Sequence, residues 1–211
     1  MATTITSFYP DTLERMVRAV EKVKERVRRA SAALESAGIP YAVAGGNAVA
    51  AWVVQVDEAA ERTTQDVDIL VRRADLPEIV RCLCASGFVH RHSAGIDFFV
   101  EPGDKFRHGV HLLFAGEKVR PEYVLPAADV TESEQGARFR VLSLEALVRM
   151  KLTSFRSKDQ THLDDLVRVG LIDAGWITRF PAELGSRLQQ VLNAFEPDPD
   201  NLDEEASADP D

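Results

Sequence analysis

Apolar residues recur at intervals of three and four along several long stretches of the chain. That spacing places them on one face of an α-helix, because the helix repeats every 3.6 residues. The first such stretch stops before Gly38 and Pro40, two residue types that commonly end helices. The pattern predicts helices over residues 11–37, 47–56, 76–86, 142–155, 159–169 and 182–195.

Short apolar or alternating segments between these helices predict β-strands at residues 41–44, 66–71, 88–92, 96–100 and 110–114. Gly45-Gly46 is interpreted as a tight turn after the first strand, and residues 57–65 as a polar loop. Residues 121–135 show little periodicity and are interpreted as a connector. The order of elements predicts an α+β (mixed α/β) fold, in which a small mixed β-sheet is flanked by helices and followed by a helical C-terminal portion.

The negative charge of the chain is concentrated at its C-terminal end. The 211 residues include 34 acidic and 25 basic side chains, and eight of the acids lie in residues 196–211, where there is no basic residue. We therefore expect a disordered acidic tail at 196–211, after an α/β domain at 1–120 and a helical portion at 121–195 that packs on it. Without the tail the chain is near neutral, which leaves a phosphate-bearing ligand open.

The sequence favours a cytoplasmic protein. No apolar stretch is long enough to span a bilayer, and the first ten residues lack the basic and apolar regions of a signal peptide. Cys82 and Cys84 cannot form a disulfide framework, and their spacing is not a usual zinc or redox pattern. They are interpreted as reduced thiols on a helix.

Two aspartates carry the strongest chemical signal. Asp66 and Asp68 are two residues apart on a predicted strand, so both carboxylates point to the same side. Neighbouring carboxylates repel each other, and a hard divalent cation such as Mg²⁺ or Mn²⁺ removes that repulsion. Gly45 and Gly46 allow the backbone to approach a phosphate closely, and the start of the following helix favours an anion. The alternative to a metal and phosphate site is that the two aspartates lie on the solvent face of a half-exposed strand and that Gly45-Gly46 is an ordinary turn.

Two segments resemble a known superfamily. Ala44-Gly45-Gly46-Asn47 followed by Arg62-Thr63-Thr64-Gln65-Asp66-Val67-Asp68-Ile69 is similar to the signature of the DNA polymerase β-like nucleotidyltransferases. The Arg-x-Thr-x-Asp-x-Asp run looks most like the AbiEii type and related minimal bacterial enzymes. The stretch from Lys151 to Asp159, with Asp164-Asp165-Leu166 after it, is similar to the C-terminal helical motif of that group.

The resemblance implies roles for individual residues. Asp66 and Asp68 would bind Mg²⁺ or Mn²⁺. The other implied roles concern the nucleotide: Gly45, Gly46 and Asn47 would cradle the triphosphate, Lys151 and Arg156 would reach its phosphates, and Arg62 and Thr64 would shape the loop or contact phosphate. Taken alone, the four basic and hydroxyl residues are equally compatible with a solvated surface.

His111 departs from the superfamily pattern, because it occupies the position where a third carboxylate is expected. Imidazole suits Mn²⁺ or Zn²⁺ better than Mg²⁺, and its pKa near neutrality suits a general base. Three alternatives remain open: His111 acts as the base in a metal-poor site, another acid such as Asp97 substitutes, or catalysis has been lost.

The resemblance implies transfer of a nucleoside monophosphate from an NTP to an acceptor. The acceptor could be a small molecule such as an aminoglycoside, an RNA 3′ end such as that of tRNA, or a protein side chain. AbiEii-like relatives act as toxins, which implies a cognate antitoxin. The alternative is a catalytically impaired nucleotide-binding or protein-interaction module that keeps the fold.

Overall fold

The structure is a computed structural model that describes residues 10–60 and 64–195. Arg62 and the acidic tail lie outside the described residues. The helices are α1 Pro10–Ser36, α2 Gly45–Val53, α3 Leu76–Ala85, α4 Leu144–Ser154, α5 Ser157–Arg168 and α6 Ala182–Ala194. The strands are β1 Tyr41–Ala44, β2 Val67–Val71, β3 Val89–Ser93, β4 Ile96–Val100, β5 Val110–Phe114, β6 Ser133–Gln135 and β7 Arg140–Leu142. Short 3₁₀ turns lie at Glu58–Ala60, Arg73–Asp75, Phe106–His108 and Ala174–Arg179.

All seven of these strands form one mixed sheet in the order β3-β4-β5-β2-β1-β7-β6. The pairs β2–β5 and β1–β7 are parallel, and the other neighbours are antiparallel. This sheet, flanked by helices and followed by a helical C-terminal portion, confirms the predicted fold class. Within the described ranges, no helix is both long and apolar enough to cross a membrane.

Side chains that alternate along β1 and β2 pack into two separate hydrophobic cores, one on each face of the sheet. Val67, Ile69 and Val71 join α1 and α3 in one core, as the alternation predicts. Leu70 joins α2, α4, α5 and α6 in the other core. Because side chains alternate along a strand, Asp68 lies on the same face as Leu70. The second core therefore supports the face on which the two aspartates lie.

The Gly45-Gly46 pair differs from its prediction. The two glycines are the first residues of α2 and not a separate turn. Gly45 has a φ of +63°, so the chain changes direction within one residue and enters the helix directly from β1. The helix N-terminus therefore lies directly at the end of β1.

The hairpin of β6 and β7 was not predicted. Its strands have three residues each, which is too short for an alternating pattern to stand out. The pairing of β7 with β1 adds the hairpin to the edge of the sheet, at Val43 and Val141. Helix α4 then begins after Ser143, whose hydroxyl accepts a hydrogen bond from the Ala146 amide.

Candidate functional site

Two neighbouring parallel strands bring together three side chains of types that can bind a metal ion. Asp66 directly precedes β2, and Asp68 is the second residue of that strand. His111 lies on β5 as the register partner of Asp68. One ligand atom from each of the three side chains lies within 4.8 Å of the other two. The predicted pair of aspartates thus converges with His111 at one point of the sheet.

Asp66 is held as a carboxylate by two neighbours. Thr64 Oγ1 donates a hydrogen bond to Asp66 Oδ1 over 2.5 Å, and Lys158 Nζ lies 3.7 Å from Asp66 Oδ2. Burial raises the pKa of Asp66, but the Thr64 hydrogen bond and the Lys158 charge outweigh burial, so its pKa is lower than usual. The carboxylate is therefore ready to bind a cation.

His111 is fixed through both ring nitrogens. Its Nε2 lies 2.9 Å from the Phe106 carbonyl oxygen, and its Nδ1 lies 3.7 Å from Asp68 Oδ1. The second distance is too long for a direct hydrogen bond, so the Asp68 carboxylate acts on the imidazole through its charge. Burial lowers the pKa of His111, but the Asp68 carboxylate and the Phe106 carbonyl together raise it above its ordinary value.

Gly45 is required by the close approach of helix α2 to Asp68. A Cβ atom at Gly45 would lie 2.0 Å from Asp68 Oδ2, far inside van der Waals contact. A Cβ at Gly46 would lie 3.1 Å from the Thr64 side chain. Asn47 Nδ2 donates to the Asp66 carbonyl oxygen over 2.8 Å and fixes the helix start against the β2 entry. The N-terminus of α2 is therefore positioned beside both carboxylates.

The junction of α4 and α5 contributes basic side chains around Asp159, which is fully buried. Lys151 Nζ lies 3.2 Å from Asp159 Oδ1 and 2.9 Å from His162 Nδ1. Arg156 Nε donates to Asp159 Oδ2 over 2.7 Å, and Ser154 Oγ donates to the same oxygen over 2.8 Å.

These contacts set the charge states at the junction. Burial raises the pKa of Asp159, but Arg156 and Lys151 outweigh it and bring the pKa down to about 2. Burial lowers the pKa of Lys151, although Asp159 favours its charged form. Lys151 and Arg156 are thus held in place by a shared carboxylate.

A cleft of about 360 Å³ connects the two groups of residues. Gly45, Asp66, Asp68 and His111 line it on the sheet side, and the α4–α5 junction lines it on the other. Its wall also carries further side chains from outside the predicted site: Arg73, Ile96, Phe106, Lys118, Val119, Arg120 and Lys158. Phe106, Ile96 and Val119 are exposed apolar residues on this wall. The cleft is large enough to bind a small organic ligand.

The structure brings most of the predicted residues together. Those lining the cleft are Gly45, Asp66, Asp68, His111, Lys151 and Arg156. Asn47 and Thr64 donate hydrogen bonds to Asp66, and Gly46 lies against Thr64. The roles of these residues toward nucleotide and metal stay predictions.

Lys158, whose Nζ lies 3.7 Å from Asp66 Oδ2, has no role assigned from the sequence, although it lies within the quoted C-terminal stretch. Its position on the first turn of α5 depends on the left-handed Phe155, whose φ of 45° turns the chain between the two helices. A non-glycine residue in that conformation carries no sequence signal that would have revealed the turn.

Asp97 does not substitute for the missing carboxylate. Phe98 pairs with His111 in register, so the Asp97 side chain points to the opposite face of the sheet. There its Oδ1 lies 3.0 Å from both His90 Nε2 and His92 Nδ1. Asp97 therefore has no access to the Asp66–Asp68 pair.

The residues present fit a divalent cation. Asp66 and Asp68 supply the oxygen ligands that such ions prefer, and His111 adds a nitrogen that Mg²⁺ accepts poorly and Mn²⁺ accepts well. With the N-terminus of α2 beside them, the three side chains can bind a cation together with an anionic ligand.

No protein-family profile matches the chain, and no curated protein matches it in sequence. Solved structures do match in three dimensions. The solution structure of the antibiotic-resistance factor ANT(2'')-Ia is 14% identical, with a TM-score of 0.50 over 83% of this chain and 93% of that chain. An antigenic nucleotidyltransferase-like protein from Paracoccidioides brasiliensis is 19% identical, with a TM-score of 0.49 over 83% and 88% of the two chains. The crystal structure of ANT(2'')-Ia in complex with adenylyl-2''-tobramycin is 14% identical, with a TM-score of 0.41 over 82% and 89%.

The likeness to ANT(2'')-Ia, a nucleotidyltransferase, covers most of both chains. The chain therefore has the nucleotidyltransferase fold.

Proposed function

We propose that this chain transfers a nucleoside monophosphate from a nucleoside triphosphate to a hydroxyl group of an acceptor. The observation that carries the proposal is the close approach of Gly45, at the start of α2, to Asp68 beside Asp66. A helix N-terminus binds phosphate, and paired carboxylates bind a divalent cation. Nucleotidyl transfer requires these two capacities at adjacent positions.

Asp66 and Asp68 would hold the divalent cation, which when bound neutralises charge on the reacting phosphate and on the leaving pyrophosphate. The amide groups at Gly45, Gly46 and Asn47 would bind triphosphate oxygens. Lys158, 3.7 Å from Asp66 Oδ2, would place its charge at the boundary between the carboxylates and the phosphates. Together these groups orient the nucleotide so that its α-phosphate faces the acceptor side of the cleft.

Lys151 and Arg156 would act from the other wall. Asp159 already neutralises part of their charge, but Arg156 has about half of its side chain exposed and can reach a phosphate without leaving its partner. Lys151 is buried, so its effect on a bound phosphate would be through the electric field of the cleft and through the position of Arg156.

The charge of the cleft argues against a polycationic acceptor. Within the described ranges, six Lys and Arg side chains and four Asp and Glu side chains line it. A bound cation and triphosphate would occupy Asp66 and Asp68, and Glu117 and Asp159 already pair with Arg73 and Arg156. ANT(2'')-Ia binds adenylyl-tobramycin, a derivative of a polycation. We therefore expect the acceptor here to be neutral or anionic.

Calorimetric titration with each NTP, in Mg²⁺ and in Mn²⁺, tests the proposal. We expect binding that requires the metal and that falls at least about tenfold in the double variant Asp66→Asn/Asp68→Asn. The double variant Glu21→Gln/Glu25→Gln, on the exposed face of α1, is the matched control and should bind as the wild type does. Equal binding by the aspartate variant and the wild type would overturn the assignment of the site.

A second readout separates catalysis from binding alone. Pyrophosphate release is measured with tRNA, tobramycin or a test protein as acceptor. Release that requires an acceptor supports the enzyme, whereas tight metal-dependent binding without release from any acceptor favours the catalytically impaired module, for which His111 is the supporting observation. The AbiEii-like type, a toxin role and an antitoxin stay predictions from the sequence motifs, and growth arrest on expression that Asp66→Asn abolishes would support them.

A further inference from the structure

The ring of His111 has a defined orientation because its Nε2 contacts a group that can only accept. The Phe106 carbonyl oxygen is 2.9 Å away and carries no proton, so Nε2 must be the donor. In the neutral imidazole the other nitrogen, Nδ1, then carries the lone pair. Nδ1 is the nitrogen that faces Asp68. In this neutral form the atom offered to the site is therefore a potential ligand, and a protonated ring has to release its Nδ1 proton before a cation binds.

The surroundings of His111 hold this orientation in place. The Phe106 ring stacks on the imidazole with centroids 4.5 Å apart and an angle of 26° between the planes. Phe98 contacts it edge-on, with centroids 6.1 Å apart. His111 itself is 9% exposed, so little water competes for either nitrogen. An imidazole with one nitrogen on a backbone carbonyl and the other free to bind is the usual arrangement of a metal-bound histidine.

Gly109 allows the carbonyl to reach the ring. A Cβ at this position would lie 3.0 Å from the Phe106 carbonyl oxygen and 3.4 Å from His111 Nε2. The backbone of Gly109 is extended, with φ −85° and ψ 172°, so an alanine would meet no conformational strain of its own. The absence of a side chain at Gly109 therefore matters for the contact between the carbonyl and the imidazole.

We infer that His111 is a third ligand of the divalent cation, bound through Nδ1, and that this set of donors selects Mn²⁺ over Mg²⁺. The inference rests on the proposed function only in taking Asp66 and Asp68 as the other two ligands. The three ligand atoms lie within 4.8 Å of one another. Two ligands each about 2.1 Å from one ion are at most about 4.2 Å apart, so a bound cation would draw the three side chains closer together. Two carboxylates and one imidazole form a softer set than three carboxylates, and Mn²⁺ tolerates nitrogen better than Mg²⁺ does.

This assignment gives His111 a different role from that of a general base. When Nδ1 binds the cation and Nε2 donates to the carbonyl, neither nitrogen can take a proton from an acceptor hydroxyl. A His111 variant would then lose metal affinity first, and the defect would be smaller at saturating Mn²⁺. A base would instead show full metal affinity and a loss of rate that no metal concentration restores.

Pulsed electron paramagnetic resonance of the full chain loaded with Mn²⁺, without nucleotide, tests the inference directly. A coordinated imidazole gives a ¹⁴N coupling to the metal, which we expect in the wild type and not in His111→Gln. His92→Gln is the matched control, since His92 lies beside Asp97 on the other face of the sheet and should not affect the coupling. Bound Mn²⁺ without ¹⁴N coupling would overturn the role of His111 and leave the proposed function standing. Failure of the wild type to bind Mn²⁺ at all would contradict the inference and the proposed metal site together.

Metal titrations give the second measurement. His111→Asp restores a third carboxylate, and we expect it to shift the ratio of Mn²⁺ to Mg²⁺ affinity toward Mg²⁺ by about tenfold or more. Gly109→Ala should weaken Mn²⁺ binding while leaving His111 present. Circular dichroism checks that the variants fold, and an unchanged affinity ratio in folded His111→Asp would refute the selectivity.

Discussion

Gly45 shows how strongly one residue constrains the site. Its φ of +63° alone favours glycine, but Gly38 has almost the same value, +67°, at the end of α1. The two positions differ in their surroundings. A Cβ at Gly38 would meet nothing within 4 Å, whereas a Cβ at Gly45 would lie 2.0 Å from the Asp68 carboxylate. Backbone conformation and close approach can therefore be separated by experiment.

We expect Gly38→Ala to lower the free energy of unfolding by about 1 kcal/mol, the cost of a left-handed alanine, and Gly45→Ala to lower it further, because its Cβ also clashes with Asp68. Only Gly45→Ala should also displace the Asp68 carboxylate and weaken Mn²⁺ binding by about tenfold or more. Urea unfolding and metal titration on both variants measure the two effects. Equal metal affinity in the two variants would show that the approach of α2 to Asp68 is not needed.

Most residues of the candidate site could be identified from the sequence, but the contacts between them could not. Asp66 and Asp68 were evident because a strand with two-residue spacing places them on one side. Lys158 was not, because its approach to Asp66 depends on how α5 leaves the left-handed Phe155. Asp97 was considered as a substitute ligand, and only the register of β4 against β5 shows that it faces the other way.

At the scale of elements, α4 and α5 are joined through Asp159. Its carboxylate accepts from the Arg156 amide at the start of α5 and contacts Lys151 from α4. One buried side chain therefore caps one helix and neutralises a buried lysine of the other. The basic wall of the cleft depends on this single contact point.

We expect Asp159→Asn to lower the free energy of unfolding by about 3 kcal/mol at pH 7, because Lys151 loses its buried partner. The pKa of Asp159 is about 2 in the folded chain, against an ordinary 3.8. Because the pKa of Asp159 is lower in the folded than in the unfolded chain, its ionised carboxylate stabilises the fold at any pH above 3.8. This stabilisation is lost as the pH falls toward 2. The difference in the free energy of unfolding between wild type and Asp159→Asn should therefore be smaller at pH 2.5 than at pH 7, by about 1.5 kcal/mol.

Urea unfolding at pH 7 and pH 2.5 measures this narrowing. Asp164→Asn, on the same helix but at a partly exposed ion pair with Arg168, is the control and should lower stability far less. A difference between wild type and Asp159→Asn that does not change with pH would show that Asp159 is not ionised in the folded chain.

The elements themselves were predictable to different degrees. The long helices and strands β1, β2, β4 and β5 follow from periodicity, since each buries apolar side chains. Strand β3 lies at the edge of the sheet and is half-buried to exposed, but its alternating pattern also predicts it. The β6–β7 hairpin does not follow from periodicity, because its three-residue strands include polar residues such as Glu134 and Arg140 and gain stability from pairing with β1. The sequence predicts a turn at Gly45-Gly46 because it does not reveal that the helix begins directly after the last residue of the strand.

At the scale of the whole molecule, the buried side chain of Arg26 connects α1 to the segment that follows β4. The Arg26 side chain is 3% exposed, and its Nη2 lies 2.9 Å from Asp104 and 3.4 Å from Glu101. Both acids belong to the segment that leads from β4 to Phe106. The position of Phe106, and through its carbonyl that of His111, thus depends on a contact made by the first helix.

We expect Arg26→Ala to lower the free energy of unfolding by about 2 kcal/mol, because a buried side chain is lost. Asp104 and Glu101 lose their buried partner as well, although Glu101 keeps its contact with Arg29 and Asp104 its contact with His108. Arg28→Ala, two residues along the same helix, removes only an exposed pair with Glu25 and should cause no measurable change. Thermal or urea unfolding of both variants is the measurement. A similar loss in the two variants would mean that helix propensity, and not the buried contact, causes the effect.

The contact between Gly45 and Asp68 also constrains how the two positions can change during evolution. The two positions are 23 residues apart in the chain, yet a side chain at one is compatible only with a smaller group at the other. A lineage that keeps the aspartate must keep the glycine. A lineage that loses the aspartate is released from the steric demand, and only the smaller cost of the positive φ then favours glycine at position 45. Paired change at these two positions would therefore mark the descendants in which the chemistry has been abandoned, even where the fold persists.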